Sequence, residues 1–226
     1  MNAAVSLAAT VALYFAALTL YRRCGRPALL NPVLVASTGL ILLLHLTHTP
    51  YAQYMQGGRI LTWLLLPATV ALAIPLFEQL PQIRQSAAAT LAAVGAGCIT
   101  GIVSAVGLAT AFGLPPEIVR SLASKSVTAP VAMPLTQQLG GEPALTAAFG
   151  ILNAVAGVVI AGLLFKTSKP WFARGLGLGV SAHAIGTSYA LELNASAGGF
   201  AVVGMGLNAI LTALLLPLIA HFWKVL

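Results

Sequence analysis

Apolar residues run along this chain in long blocks, broken by short polar connections. Residues 1–21, 27–58, 60–77, 85–116, 143–165 and 193–223 contain no Asp, Glu, Lys or Arg. A helix needs roughly 20 apolar residues to cross the ~30 Å hydrocarbon core of a bilayer. The blocks therefore predict spans near 3–21, 29–46, 60–80, 86–113, 144–165, 175–192 and 198–222. Region 114–143 fits no simple span, and 175–192 is rich in glycine. The expected architecture is an all-α, polytopic transmembrane protein: a single domain over residues 1–226, with roughly seven to eight membrane segments. Its segments 114–143 and 175–192 are interrupted or re-entrant.

Composition agrees with that class. Hydrophobic residues make up 59% of the chain and charged residues 7%, against about 25% charged in soluble domains. The formal charge of +7 does not point to nucleic acid, because the basic residues are scattered through connections and are not interleaved with aromatics. Arg22, Arg23 and Arg26 follow the first block, and Lys166, Lys169 and Arg174 follow a later one, as the positive-inside rule produces. Charge after the first block also favours a retained first helix over a cleaved signal peptide. Loop charges place 22–28, Arg84 and 166–174 on the cytoplasmic face. Region 114–143 must then start and end on one face, 175–192 go outward and 198–222 return. Cys24 and Cys98 are far apart and form no C-x-x-C pattern, so neither a disulfide framework nor a metal site is expected.

Two segments are poor helices with chemistry in them. In SKSVTAPVAMPLTQQLGG, from Ser124, Pro130 and Pro134 each remove a backbone donor, and Gly140-Gly141 ends the helix. Freed carbonyls are tolerated at membrane depth only inside protein or beside a water-filled cavity. Ser124, Ser126 and Thr128 supply hydroxyls there. Lys125 supplies a cation, and a helix starting near Thr128 would aim its N–H groups at the same place. These features suit a small carboxylate; the competing reading is an interfacial lysine snorkelling to headgroups. In GLGLGVSAHAIGTSYALE, from Gly175, His183 is flanked by Ser181, Gly186, Thr187 and Ser188, and Glu192 closes the run. His183 reads as an anion ligand, a coupling proton carrier or a core histidine bonded to a carbonyl. Glu192 reads as a second coupling candidate or a solvated helix end. A candidate internal repeat pairs PATVALAIPLFEQLP (67–81) with SVTAPVAMPLTQQLG (126–140), matching Thr69 to Thr128 and a proline to Pro134. It makes Thr69 a candidate, and transporters are commonly built from such repeats. Asn31 before Pro32 reads as a helix cap and is kept as a substrate candidate. Asn153 and Asn208 read as interhelical hydrogen bonds. No set suggests a nucleophile held by a base and an orienter, so neither an enzyme nor a cofactor is expected.

At SKSVTAPVAMPL and SAHAIGTSYALE the chain resembles the LrgB/CidB family of membrane proteins, whose plant relatives include the plastidic glycolate/glycerate translocator. PATVALAIPL, GGEPALTAAFGI, ARGLGLG and GMGLNAILTALLLPL extend the resemblance over nearly the whole chain. The resemblance implies a bacterial inner-membrane protein with a small LrgA/CidA-type membrane partner. It implies transport of small monocarboxylates such as pyruvate, glycolate or glycerate, or alternatively a holin/antiholin-like control of murein hydrolases and lysis. It carries over Lys125, Ser126, Thr128, His183, Gly186 and Thr187 as site residues. A chain of 226 residues is short for a transporter with a scaffold and a moving part, so a homodimer is expected. The expected mechanism is alternating access coupled to protons or sodium.

Overall fold

The structure, a computed structural model, describes residues 2–25, 27, 30–71, 73–78, 80–164 and 170–222. Among them all regular structure is helical: α1 (Ala3–Arg23), α2 (Pro32–Leu46), α3 (Tyr51–Ala71), α4 (Ala73–Glu78), α5 (Leu80–Gln85), α6 (Ala87–Ala111), α7 (Pro116–Ala123), α8 (Ala129–Gln138), α9 (Pro143–Leu164), α10 (Trp171–Leu193) and α11 (Ala195–Phe222). Helices α1, α6, α9 and α11 are long and apolar enough to cross a membrane. The span expected at 60–80 begins earlier, at Tyr51, and the described residues are helical over Tyr51–Ala71, Ala73–Glu78 and Leu80–Gln85.

The chain forms two compact units, Met1–Ala73 and Ile74–Leu226. In the first, α1 packs on both α2 and α3. Asn2 caps α1 by accepting from the Val5 N–H at 3.0 Å. Thr10 and Tyr54 share a hydrogen bond of 3.0 Å between α1 and α3. Asn31 caps α2, its Oδ1 accepting from the Val33 N–H at 2.9 Å.

The second unit is built from two helical hairpins that reach inward from opposite ends. Helices α7 and α8 have 8 and 10 residues, about 12 and 15 Å at 1.5 Å per residue, so neither crosses. They meet at the loop Ser124–Thr128, forming the in-and-back segment that the loop charges require. A chain of buried hydroxyls staples this hairpin to α9. Thr146 Oγ1 donates to Thr136 Oγ1 at 2.9 Å and lies 3.0 Å from the Ser121 carbonyl. Thr136 and Ser124 share a 2.8 Å bond, and Ser121 Oγ accepts from the Glu142 N–H at 2.8 Å. Each of these four side chains is at most 1% exposed.

The second hairpin corrects the expectation that 175–192 crosses. Within α10 the backbone is non-helical at Ala182 (φ −124°, ψ 16°) and His183 (φ 38°, ψ −128°). Gly175 and Leu191 would be about 24 Å apart in a straight helix, yet they touch Ala197 and Gly198, which are neighbours. Gly186 lies directly on the Leu178 carbonyl. The chain therefore reverses at Ala182–His183: a first arm, 171–181, runs in and a second arm, 184–193, runs back. Each arm is about 15 Å long. Gly179 against the Ala201 carbonyl and Thr187 bonded to the same carbonyl show α11 lying parallel to the first arm and antiparallel to the second. Helix α11 thus starts on the face where α10 both begins and ends, and it finishes on the opposite face, not on the side of Arg174. Ser196 and Gln82 meet at 3.4 Å, so α5 and the start of α6 share that basic face.

The order in this unit is one crossing helix (α6), a hairpin from the far face, a second crossing helix (α9), a hairpin from the basic face, and a last crossing helix. This is an inverted arrangement, but not the one suggested by the 67–81 stretch, which straddles the two units. Beyond the middle, α6 residues Cys98, Ile102, Val106 and Ala109 form an apolar cluster with Val119, Ala123, Leu135 and Leu216.

Candidate functional site

The tips of the two hairpins meet at the middle of α6, α9 and α11. Each arm spans about half of a ~30 Å core, so tips from opposite faces converge at mid-depth. Two asparagines tie them together. Asn153, on α9, accepts from Lys125 Nζ at 2.8 Å and donates to the Ser181 carbonyl at 2.7 Å. Asn208, on α11, donates to the carbonyls of Ser126 and Val180, each at 3.1 Å. Those carbonyls belong to the opened backbone of the two tips, where interrupted helices leave acceptors without partners. Supplying donors from Asn208, 1% exposed, makes the opening tolerable inside a membrane protein. Gly150 lies between the tips: a Cβ built there would stand 3.6 Å from His183 Nε2 and 3.7 Å from the Lys125 carbonyl.

His183 is held by both ring nitrogens. The Ala184 N–H donates to Nδ1 at 2.9 Å, so Nε2 carries the proton and donates to the Gly150 carbonyl at 3.0 Å. The ring thereby caps the second arm and fastens the tip to α9, as in the core-histidine reading of the sequence. Adding a second proton would require Nδ1 to give up the Ala184 N–H. The left-handed φ of 38° is costly for a β-carbon residue, on the order of 1–3 kcal/mol, and these two bonds offset it.

Lys125 is half-buried and bonds to the neutral Asn153, with Ser126 Oγ at 3.5 Å. It lies on a cavity of about 700 Å³ lined by α6, the first arm of α10, Asn153 and Ser126. Lys125 is the one charged residue among those lining residues. Thr128 is the N-cap residue of α8, and its hydroxyl makes no capping bond. The arrangement offers a cation and hydroxyls to a small anion.

The other sequence candidates lie elsewhere. Gly186 is the close contact between the arms of α10, and Thr187 is buried against Ala201 and Met205 of α11. Glu192 is exposed at the end of the second arm, about 14 Å along it from His183. Asn31 serves as a cap in the other unit. Thr69 belongs to α3, and its side chain lies outside those described. Asn153 was legible as an interhelical hydrogen bond; what the sequence did not signal is that its partner is Lys125.

The sequence profile of the LrgB-like family matches residues 10–222. The Bacillus subtilis protein YwbG is 39% identical over 220 residues, covering 96% of this chain and 97% of its own. YxaC of the same organism is 35% identical, covering 96% and 94%. The holin-like protein CidB of Staphylococcus aureus is 30% identical over 221 residues, covering 97% and 96%. No solved structure matches the chain.

Proposed function

The chain belongs to the LrgB-like family of multi-pass bacterial membrane proteins, and on that footing we propose that it carries small monocarboxylates across the membrane by alternating access. The observation that carries the reading is Lys125: a cation without a carboxylate partner among the described residues, set on a membrane-embedded cavity. An ionisable residue at such depth is a functional candidate by default. An incoming carboxylate would replace Asn153 Oδ1 as the acceptor of the ammonium and take a further donor from Ser126. One cation neutralises one carboxylate. A second carboxylate would find no further cation among the lining residues, which favours monocarboxylates such as glycolate, glycerate or pyruvate over dicarboxylates. Coupling to protons or sodium, a homodimer and a small LrgA/CidA-type partner complete the proposal.

A second reading has its own support. The staphylococcal relatives are called holin-like, which favours a regulator of murein hydrolase release and lysis. The names speak for that reading and say nothing of carboxylates; the cavity and Lys125 speak for transport. Purified protein in liposomes, with and without the small partner, separates them. Saturable glycolate or pyruvate counterflow, competed by monocarboxylates and not by succinate, supports transport. Release of a trapped dye without saturable counterflow supports the holin-like reading and overturns the first.

A further inference from the structure

We propose that the groove between α6 and the first arm of α10 is the path by which the anion reaches Lys125 from the cytoplasm, so that the structure is the inward-open end of the transport cycle. The inference rests on the transport reading above and adds a direction and a path to it.

The groove begins at Ser86 and Phe172, in the first turns of α6 and α10, and reaches Lys125, Asn153 and Ser104. On α6 it is walled by Ser86, Thr90, Ala93, Gly97, Thr100 and Ser104. Their spacing of three or four puts them on one helix face, and every one is small or carries a hydroxyl. Such a face leaves room for a hydrated anion and offers it hydrogen bonds; an ordinary lipid-facing stripe would be filled with Leu and Phe. The two walls approach closely at Gly97, where a Cβ would stand 2.9 Å from Val180 Cγ1.

Toward the far side the lining stops at Ser104: no α6 residue beyond it, and no residue of α7 or α8, lines the groove. Behind it, the buried face of α6 packs into the apolar cluster of Ile102, Val106, Val119, Leu135 and Leu216. The groove is therefore entered from the side of Ser86 and Phe172. The open side is the face shared by α5, the start of α6 and the start of α10, with Arg84 and Arg174 close in sequence to the groove's first residues. Glu192 is the acidic residue at the end of α10 on that face. Basic connections mark the cytoplasmic side, and their field raises the local concentration of anions.

The test places single cysteines in the groove on a Cys24→Ser background, retaining the buried Cys98. Ala93→Cys and Ala89→Cys report the groove, and Leu108→Cys, on α6 beyond it, is the control. A membrane-impermeant methanethiosulfonate is applied to inverted and to right-side-out vesicles. The proposal expects both groove cysteines to be labelled in inverted vesicles only. Glycolate should slow labelling of a Thr100→Cys reporter, and Lys125→Ala should abolish that protection. Labelling from the outer face, equal labelling from both faces, or no labelling at either groove position overturns the proposal. Inward labelling without glycolate protection overturns the anion path. Inward labelling with protection but no flux in liposomes would instead sink the transport reading, so the two failures are distinguishable.

Discussion

Replacing Asn153 with aspartate changes one atom group and reverses the electrostatics of the site. Asn153 Oδ1 already lies 2.8 Å from Lys125 Nζ, so the carboxylate of Asn153→Asp would form a fixed ion pair where the substrate carboxylate is meant to sit. Two unit charges 4 Å apart attract by about 4 kcal/mol at an effective dielectric of 20. The half-exposed ammonium and screening in the cavity reduce that to on the order of 2 kcal/mol. A built-in competitor of that strength raises the Kd for glycolate about thirtyfold. The variant also loses the 2.7 Å donation to the Ser181 carbonyl, worth about 1 kcal/mol of stability. Asn153→Ala loses the same donor but leaves Lys125 unpaired, so its anion affinity stays near wild type or improves. Isothermal titration of purified protein with glycolate, alongside thermal unfolding in detergent, reads both quantities. The reasoning is refuted if Asn153→Asp binds as tightly as wild type, or if the aspartate and alanine variants weaken binding equally.

Three further outcomes follow from the packing. Asn208→Asp removes the donors to the Ser126 and Val180 carbonyls while keeping the shape. Hydrogen exchange should then quicken at both tips, 124–128 and 180–183, and unchanged exchange at either would contradict the clamp. Thr136→Val breaks the hydroxyl staple between Ser124 and Thr146. It should cost about 1–3 kcal/mol of stability, seen as a lower unfolding temperature, with glycolate affinity little changed. Gly186→Val places methyl groups in the Leu178 carbonyl and should abolish folded protein in detergent chromatography, whereas a straight α10 would tolerate it.

Much of the first hairpin was legible in the chain; of the second, the interruption was legible and the reversal was not. Pro130, Pro134 and Gly140-Gly141 interrupt the helix pattern openly, and loop charges on either side demand a return to the same face. The second hairpin hides. Residues 175–192 have the length and apolarity of a span, and the reversal takes two residues, Ala182 and His183, neither of which signals a turn. It becomes evident only through tertiary contacts such as Gly175 on Ala197 and Gly198 on Leu191. Reading that segment as a crossing carried the error forward to the direction of α11. The site divides the same way. Lys125 stood out because a cation in apolar surroundings is costly, whereas Asn153 was one of two asparagines within long apolar spans, and sequence spacing cannot say which group an asparagine meets. Thr187 and Gly186 share a motif with His183, but on the second arm they face α11 and the first arm.

The central claim is that Lys125 is the anion-binding cation of a transport site. Its most direct measurement is the Kd of glycolate, or of pyruvate, for purified wild-type protein and for Lys125→Gln, which keeps length and polarity without the charge. A hydrogen bond to a charged group contributes about 1.5–3 kcal/mol, so Lys125→Gln should weaken binding roughly ten- to a hundred-and-fifty-fold while the protein still folds. Equal affinity in the two proteins, or no monocarboxylate binding by the wild type, would contradict the account.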